Sequence, residues 1–269
     1  MFNNGIVQPL WYNGPSPGQF YNFPGYANNG NMKQCHETNN SDSTRSTAMI
    51  TTGSSVLGIK FDQGVLIAAD TLVSYGSLSR FQNIDRIFKI NDNIIMGGGG
   101  DFADIQSIMR SIDQKMIEDQ CYADNIAMRP KALATWMTRV LYNRRSRMNP
   151  LFIDVVIGGI DENNEPYLAN VDLRGRAFSD YVVSTGFARH LALPLVREKK
   201  PADRDFTLEE ASELIRQCME VLYYRDTKNS SQYTVGVCKV KDSTSNQCDV
   251  EGPFQVDEKW SFAKMVKGY

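Results

Sequence analysis

Apolar positions come into a regular pattern only from about residue 54 onward. Ser55–Phe61 and Val65–Thr71 are short β-prone runs on either side of Asp62-Gln63-Gly64, which predicts a hairpin. Arg86–Ile90 and Ile94–Met96 repeat the arrangement around Asn91-Asp92-Asn93. The spacing then changes. Ile105, Ile108, Met109, Ile112 and Met116 fall on one helical face, as do Leu133, Trp136, Met137, Val140 and Leu141. Asn149-Pro150 marks the stop of this second helix. Strands are predicted at Phe152–Ile157, Tyr167–Val171 and, more briefly, Tyr181–Val183. A helical segment from about Gly186 to Arg197 is interrupted by Pro194. A better helix starts at Thr207, where Thr207 and Glu210 form a capping box, and its apolar face is Ala211, Leu214, Ile215, Cys218, Met219 and Leu222. Tyr233–Val240 and Cys248–Val250 close the regular part.

The order is therefore strands, two helices, strands, two helices, strands. Elements segregated in this way fit an α+β domain of two sheets packed face to face with helix pairs outside, rather than a βαβ repeat. Three regions follow: an irregular segment at 1–45, the regular domain at 46–253 and an extension at 254–269. The first is rich in Asn, Gly, Pro and scattered aromatics, and too punctuated for a packed element. It reads as a disordered tail or as a pro-segment removed on maturation.

Composition narrows the function classes. A formal net charge of −2 gives no electrostatic footprint for nucleic acid or an anionic membrane. No apolar run reaches the ~18 residues of a membrane helix, and the N-terminus lacks the pattern of a secretory signal. Five cysteines without a CxxC pair suit reduced thiols in a cytosolic or nuclear compartment, and no zinc site or cofactor is indicated.

The candidate chemistry is sparse. Gly97-Gly98-Gly99-Gly100 is not followed by Lys-Ser/Thr and does not satisfy GxGxxG, so it reads as a strand-to-helix turn with Asp101 as N-cap, not as a phosphate loop. His36 lies in the irregular segment, and His190 lies on a predicted helix with no carboxylate at a suggestive spacing. Arg144, Arg145 and Arg147 end a helix, where cations complement its dipole; with no aromatic interleaved, a solvated face or a subunit contact fits better than RNA binding. Gly53-Ser54, just before the first hairpin, leaves room for a nucleophile at an N-terminal position.

With these residues in place the sequence resembles the beta-type subunits of the proteasome. The resemblance runs from Thr51 to about Pro253. Gly64-Val65-Leu66-Ile67-Ala68-Ala69-Asp70 is similar to the family's opening motif, and Gly99-Gly100-Asp101-Phe102-Ala103-Asp104 to its Gly-rich turn. Ser74–Phe81, Arg144–Pro150 and Val221–Asp226 resemble the beta type-4 branch, which occupies the seventh beta position and is non-catalytic.

The resemblance implies the four-layer αββα sandwich of N-terminal-nucleophile hydrolases and no cofactor. It also implies alpha and beta partners in stacked seven-membered rings, in cytoplasm and nucleus. Active members use an N-terminal Thr hydroxyl as nucleophile and its own α-amino group as base. Carried over by position, the nucleophile falls on Ser54, the supporting Asp on Asp70, and the Lys on Arg86. The oxyanion turn falls on Gly100, and the later support set on Thr185, Asp226 and Asn229. Arginine cannot shuttle a proton, so Asp70 reads first as its structural partner; an active peptidase using Ser54 is the alternative. In the beta type-4 branch the processed N-terminus precedes the nucleophile position, and Arg45-Ser46 is a suitable processing point. The C-terminal extension, with Trp260, Phe262 and Met265, is expected to reach the opposite beta ring, a frayed end being the other reading.

Overall fold

The computed structural model describes residues 49–122, 127–242, 245–261 and 263. The strands preceding the first long helix are β1 (Thr51–Gly53), β2 (Val56–Phe61), β3 (Gly64–Asp70), β4 (Val73–Tyr75), β5 (Leu78–Phe81), β6 (Ile87–Asn91) and β7 (Ile94–Asp101). Helices α1 (Phe102–Cys121) and α2 (Pro130–Ser146) lead to β8 (Ile153–Ile160), β9 (Pro166–Val171), β10 (Ala177–Ser179) and β11 (Val182–Ser184). Helices α3 (Ala188–Leu191), α4 (Leu193–Glu198) and α5 (Leu208–Arg225) then precede β12 (Gln232–Asp242) and β13 (Ser245–Gln255).

The strands form two antiparallel sheets. One has the order β10-β9-β8-β7-β1-β4-β5, with β6 also paired to β7, and the other has the order β11-β2-β3-β12-β13. The alternation of strand side chains explains their stacking. On β3, Val65, Ile67 and Ala69 point into the apolar layer between the sheets, beside Ile87, Ile95, Val156 and Leu168. Leu66 and Ala68 point the other way, onto Leu214, Ile215, Cys218 and Met219 of α5. The first sheet does the same on its outer side, where Ile94, Met96, Val155 and Ile157 meet Ile105, Ile112, Leu133 and Met137 of α1 and α2. Three apolar layers separate four structural ones, giving the αββα sandwich.

Local signals explain the helix limits. Asp101 caps α1 by accepting the Ala103 N–H at 2.9 Å. The Thr207/Glu210 capping box is formed at α5. Helix α2 ends before Asn149-Pro150, in a Schellman motif: Met148 adopts φ 54°, its N–H donates to Arg145 O, and the Asn149 N–H donates to Arg144 O. Pro194 does not interrupt a single helix; it lies in the first turn of α4, where its missing N–H costs nothing.

Three expectations need correction. The four glycines lie inside strand β7, because side chains there would meet the opposing sheet at Gly97, helix α1 at Gly98 and the Phe152 backbone at Gly100. A Cβ at Gly97 would lie 2.6 Å from Val56 Cγ1. Strand β13 runs through Phe254 and Gln255, and Val256 beyond it is buried, so the extension starts later than residue 254. Cys238 and Cys248 are not free thiols. They face each other across β12 and β13 and form a disulfide, leaving Cys121 and Cys218 free among the described residues.

Candidate functional site

Strand β1 is three residues long but central to its sheet. It is antiparallel to β4 on one edge, with Thr51 opposite Tyr75 and Gly53 opposite Val73. Its other edge meets β7, with Thr52 opposite Asp101 and Gly53 opposite Gly100. The Asp101 carboxylate that caps α1 also accepts the Ile50 N–H at 3.2 Å and the Thr51 hydroxyl at 3.3 Å. The chain preceding Ser54 is therefore built into the sheet.

Ser54 sits at the corner between β1 and β2, half-buried. Its nitrogen is part of the peptide bond to Gly53, and its hydroxyl donates to the carboxylate of Asp226. Asp226 is the C-cap of α5 and also accepts the Lys228 N–H at 3.0 Å. An amide nitrogen's lone pair is delocalised into its carbonyl and takes up no proton, and the serine proton is directed at a carboxylate. The arrangement orders the corner but provides no base of the α-amino type.

Beneath it lies Arg86, with no solvent exposure. One guanidinium nitrogen donates to the Asp70 carboxylate, and Nε donates to Gly98 O at 3.3 Å. Nη2 donates to Ser54 O at 2.5 Å and to Ser55 O at 3.3 Å. Asp70 is equally buried and also accepts the N–H groups of Leu72 (3.2 Å) and Ser230 (3.3 Å). Burial pushes the Asp70 carboxyl up to about 6, against the opposing pull of Arg86 and the two N–H donors. Burial also lowers Arg86 from its ordinary value, with Asp70 opposing, yet a guanidinium stays protonated at physiological pH. The pair ties β3, β7 and the β1–β2 corner together. A Cβ on Gly53 would lie 2.5 Å from Arg86 Nε, so the strand passes against the guanidinium face.

Gly100 has φ 95°, and a Cβ there would lie 2.2 Å from Phe152 O, which requires glycine. The backbone at Gly100 is in register with Gly53 of β1. Thr185 is buried and exchanges two bonds with Val56: its Oγ1 accepts the Val56 N–H at 2.9 Å, and its N–H donates to Val56 O at 2.8 Å. The Asn229 N–H donates to Asp226 O at 3.2 Å, while its side-chain amide is buried with no hydrogen-bond partner among the described residues.

The fold thus joins Ser54, Asp70, Arg86 and Asp226 in one bonded network, with Gly100, Thr185 and Asn229 attached through backbone contacts. Asp101 and Gly53 are the participants that sequence reasoning missed. Asp101 was legible as a helix cap, but nothing in the sequence pairs it with residues 50 and 51, half a hundred positions away.

The remaining candidates lie apart. His190 is exposed on α3. Trp260 packs edge-on against Tyr223 and Tyr224 of its own α5, at centroid distances of 5.9 and 5.1 Å. Arg45, Ser46, His36, Phe262 and Met265 lie outside the described residues. Among the described residues, no group of three or more His, Cys, Asp or Glu is placed to hold a metal, and no helix is long and apolar enough to cross a membrane.

Comparison with known proteins gives this geometry its context. Residues 50–238 match the family model described as proteasome subunit. A Drosophila melanogaster protein, proteasome subunit beta type-4, is 67% identical over 99% of this chain and 98% of its own length. Its Xenopus laevis counterpart is 42% identical over 95% of this chain and 98% of its own length. Proteasome subunit beta type-7 of Saccharomyces cerevisiae is 37% identical over 82% of this chain and 84% of its own length.

Proposed function

The chain belongs to the proteasome subunit family, as a beta subunit, and from that premise we propose that it is a non-catalytic member of the beta ring of the core particle. Its work is structural. It packs against alpha and beta neighbours in stacked seven-membered rings, walls the proteolytic chamber and serves ubiquitin-dependent degradation in cytoplasm and nucleus.

One observation carries the absence of catalysis. The residue at the nucleophile position is preceded by a strand paired on both edges, β1 between β4 and β7. Peptide substrates commonly bind as an added strand on an open sheet edge, and here the chain's own residues fill that edge. Freeing the Ser54 amine would require cutting a bond held in this sheet, against an Arg86 that cannot relay a proton.

Processing near Arg45-Ser46 fits this reading, because it would leave β1 attached to Ser54. The C-terminal extension, with Trp260, Phe262 and Met265, would contact the opposite ring; Trp260 rests edge-on against Tyr223 and Tyr224 yet stays 48% exposed. Intact-mass measurement of the subunit from purified core particles tests the proposal. The expected N-terminus lies upstream of Thr51, with no adduct from an epoxyketone inhibitor. A chain beginning at Ser54, or one carrying the adduct, would mean an active N-terminal-nucleophile peptidase instead.

A further inference from the structure

Helix α5 lies over β2 and β3, and α3 and α4 lie toward β11, so the outer face of β12 stands beside α5 rather than beneath it. A cleft of about 400 Å³ remains along this seam. Its floor is apolar: Leu66 and Ile215 are buried, while Val235 and Val237 are only partly covered. Tyr233 and Phe254 meet within it at a centroid distance of 5.7 Å. The walls are acidic, with Glu209 and Glu213 on the α5 side and Glu251 on the β13 side. The cation of the lining, Arg216, is already held by Glu213 at 2.6 Å and by Glu220 at 3.7 Å. Glu209 and Glu251 are exposed and have no ion pair among the described residues. The α5 dipole accounts for Glu209 in the first turn, but not for Glu251 on the facing strand. An apolar floor left partly open between unpaired carboxylates fits a cationic segment with apolar side chains.

The end of the chain has that chemistry. After Glu258 the sequence holds Lys259, Lys264 and Lys267 and not one Asp or Glu, with Met265, Val266 and Tyr269 among them. It also starts from the right place. Val256, just past β13, is buried, and its N–H donates to Ser231 O at 2.8 Å. The Tyr224 hydroxyl accepts the Lys259 N–H at 2.6 Å, which brings the extension against α5. The Ala263 N–H then donates to Trp260 O at 3.0 Å, so the chain turns at this point. Residues 264–269 lie outside the described residues. Fully extended, six residues span up to about 20 Å. Along α5, the rise from Tyr224 back to Glu213 is about 16 Å.

We propose that in the free subunit residues 264–269 fold back into this cleft, with Met265, Val266 and Tyr269 on its apolar floor and Lys267 between the carboxylates of α5 and β13. The contact covers apolar side chains that would otherwise face solvent before assembly. Exposed ion pairs of this kind contribute little each, so the docking is weak and reversible. The same residues belong to the extension assigned above to the opposite ring, so the meeting of two rings draws them out of the cleft. That consequence rests on the ring-subunit reading; the docking within the chain does not.

The test uses the full-length chain, a chain ending at Ala263 and a fluorescein-labelled peptide of residues 261–269, with binding read by fluorescence anisotropy. The shortened chain should bind the peptide at least about tenfold more tightly than the full-length chain, whose own end competes as a tethered ligand. Glu209→Lys/Glu251→Lys in the shortened chain should weaken binding roughly tenfold, as two exposed pairs turn from attraction to repulsion. Asp113→Lys, exposed on α1, should leave binding unchanged. Should the double variant unfold early on heating, a peptide carrying Lys264→Glu/Lys267→Glu gives the same reading without touching the fold. In the free full-length chain a carbodiimide should join Lys267 to Glu209, Glu213 or Glu251 of the same chain, as peptide mapping would show. Absent peptide binding, equal binding to both chains, or binding indifferent to the charge changes overturns the inference. So does a full-length dimer that the shortened chain does not form, because the occupant is then a second copy. A cross-link formed in the free chain that also forms in purified core particles supports the docking and overturns the assignment of these residues to the opposite ring.

Discussion

Gly53→Ala is a small substitution on which two physical arguments disagree in sign. Glycine inside a strand is intrinsically unfavourable relative to alanine by about 0.5–1 kcal/mol, so propensity alone predicts stabilisation. The surroundings predict the reverse. The added Cβ would lie 2.5 Å from Arg86 Nε, 3.0 Å from Cζ and 3.2 Å from Nη2. The guanidinium cannot withdraw cheaply, being held by Asp70 on one side and by Gly98 O and Ser54 O on the others. Overpacking in a core costs about 1–3 kcal/mol, and a weakened hydrogen bond from a charged donor about 1.5–3 more. A net loss of about 3 kcal/mol follows. For a domain of this size that is a fall in Tm of roughly 6–12 °C.

Urea denaturation and thermal unfolding of the full-length chain measure this directly. Arg86→Lys supplies the control, since a lysine keeps the charge beside Asp70 but lacks the planar fork that crowds Gly53. In that background Gly53→Ala should cost less than about 1 kcal/mol, an interaction energy near 2 kcal/mol between the two sites. An unchanged or raised Tm for Gly53→Ala alone would refute the clash. Equal costs in both backgrounds would show that Arg86 is not its source.

Other outcomes follow from the same geometry. Because burial holds the Asp70 carboxyl near 6, the folded chain takes up this proton as pH falls through about 6, before the unfolded chain does near 3.8. Its contribution to stability is therefore full below 3.8 and lost as pH rises through about 6; urea midpoints across that range should show a component of this sign that Asp70→Asn abolishes. Burial pushes the Cys218 thiol up to about 12, whereas Cys121 is exposed, so a maleimide should label Cys121 in the native chain and reach Cys218 only on unfolding. Cys238 and Cys248 should label only after reduction, which peptide mapping would show. Met148→Gly should raise the stability of the free chain by about 0.5 kcal/mol, as the left-handed conformation becomes free of its side-chain penalty. A loss of stability would show that Met148 packs within the subunit.

The long periodic elements were legible because each carries its own signal. The capping box at Thr207, the cap at Asp101 and the faces of α1, α2 and α5 are local patterns, and the structure keeps them. What stayed hidden depends on partners far along the chain. Thr51-Thr52-Gly53 is too short to show a period, and it is a strand only because residues 73–75 and 100–101 flank it. The hairpin of β4, mostly buried, and β5, exposed throughout, shows no alternation for the same reason. The glycine run reads as a turn until the opposing side chains of Val56 and Ile67 are known to fill the space. The Cys238–Cys248 pairing depends on a β12–β13 register that a reading of Cys248–Val250 as a short strand does not supply. At the site, Asp70 and Arg86 could be paired from their positions, but the grip of Arg86 on Ser54 O, Ser55 O and Gly98 O could not.

The place of β1 in the sheet order has a consequence for maturation. The β4–β5 hairpin reaches the rest of its sheet through β1, three residues that precede the nucleophile position. While the bond after Gly53 is intact, β1 is tethered to its slot, and the tether acts as an effective concentration in the millimolar range or above. Cutting that bond would end the tether on that side and leave a three-residue strand to hold its place by weak binding alone. The hairpin would then become a dissociable part of the subunit, and any neighbour resting on it would feel the loss. In this chain residues 51–53 are a structural joint, and the bond after them belongs to the architecture.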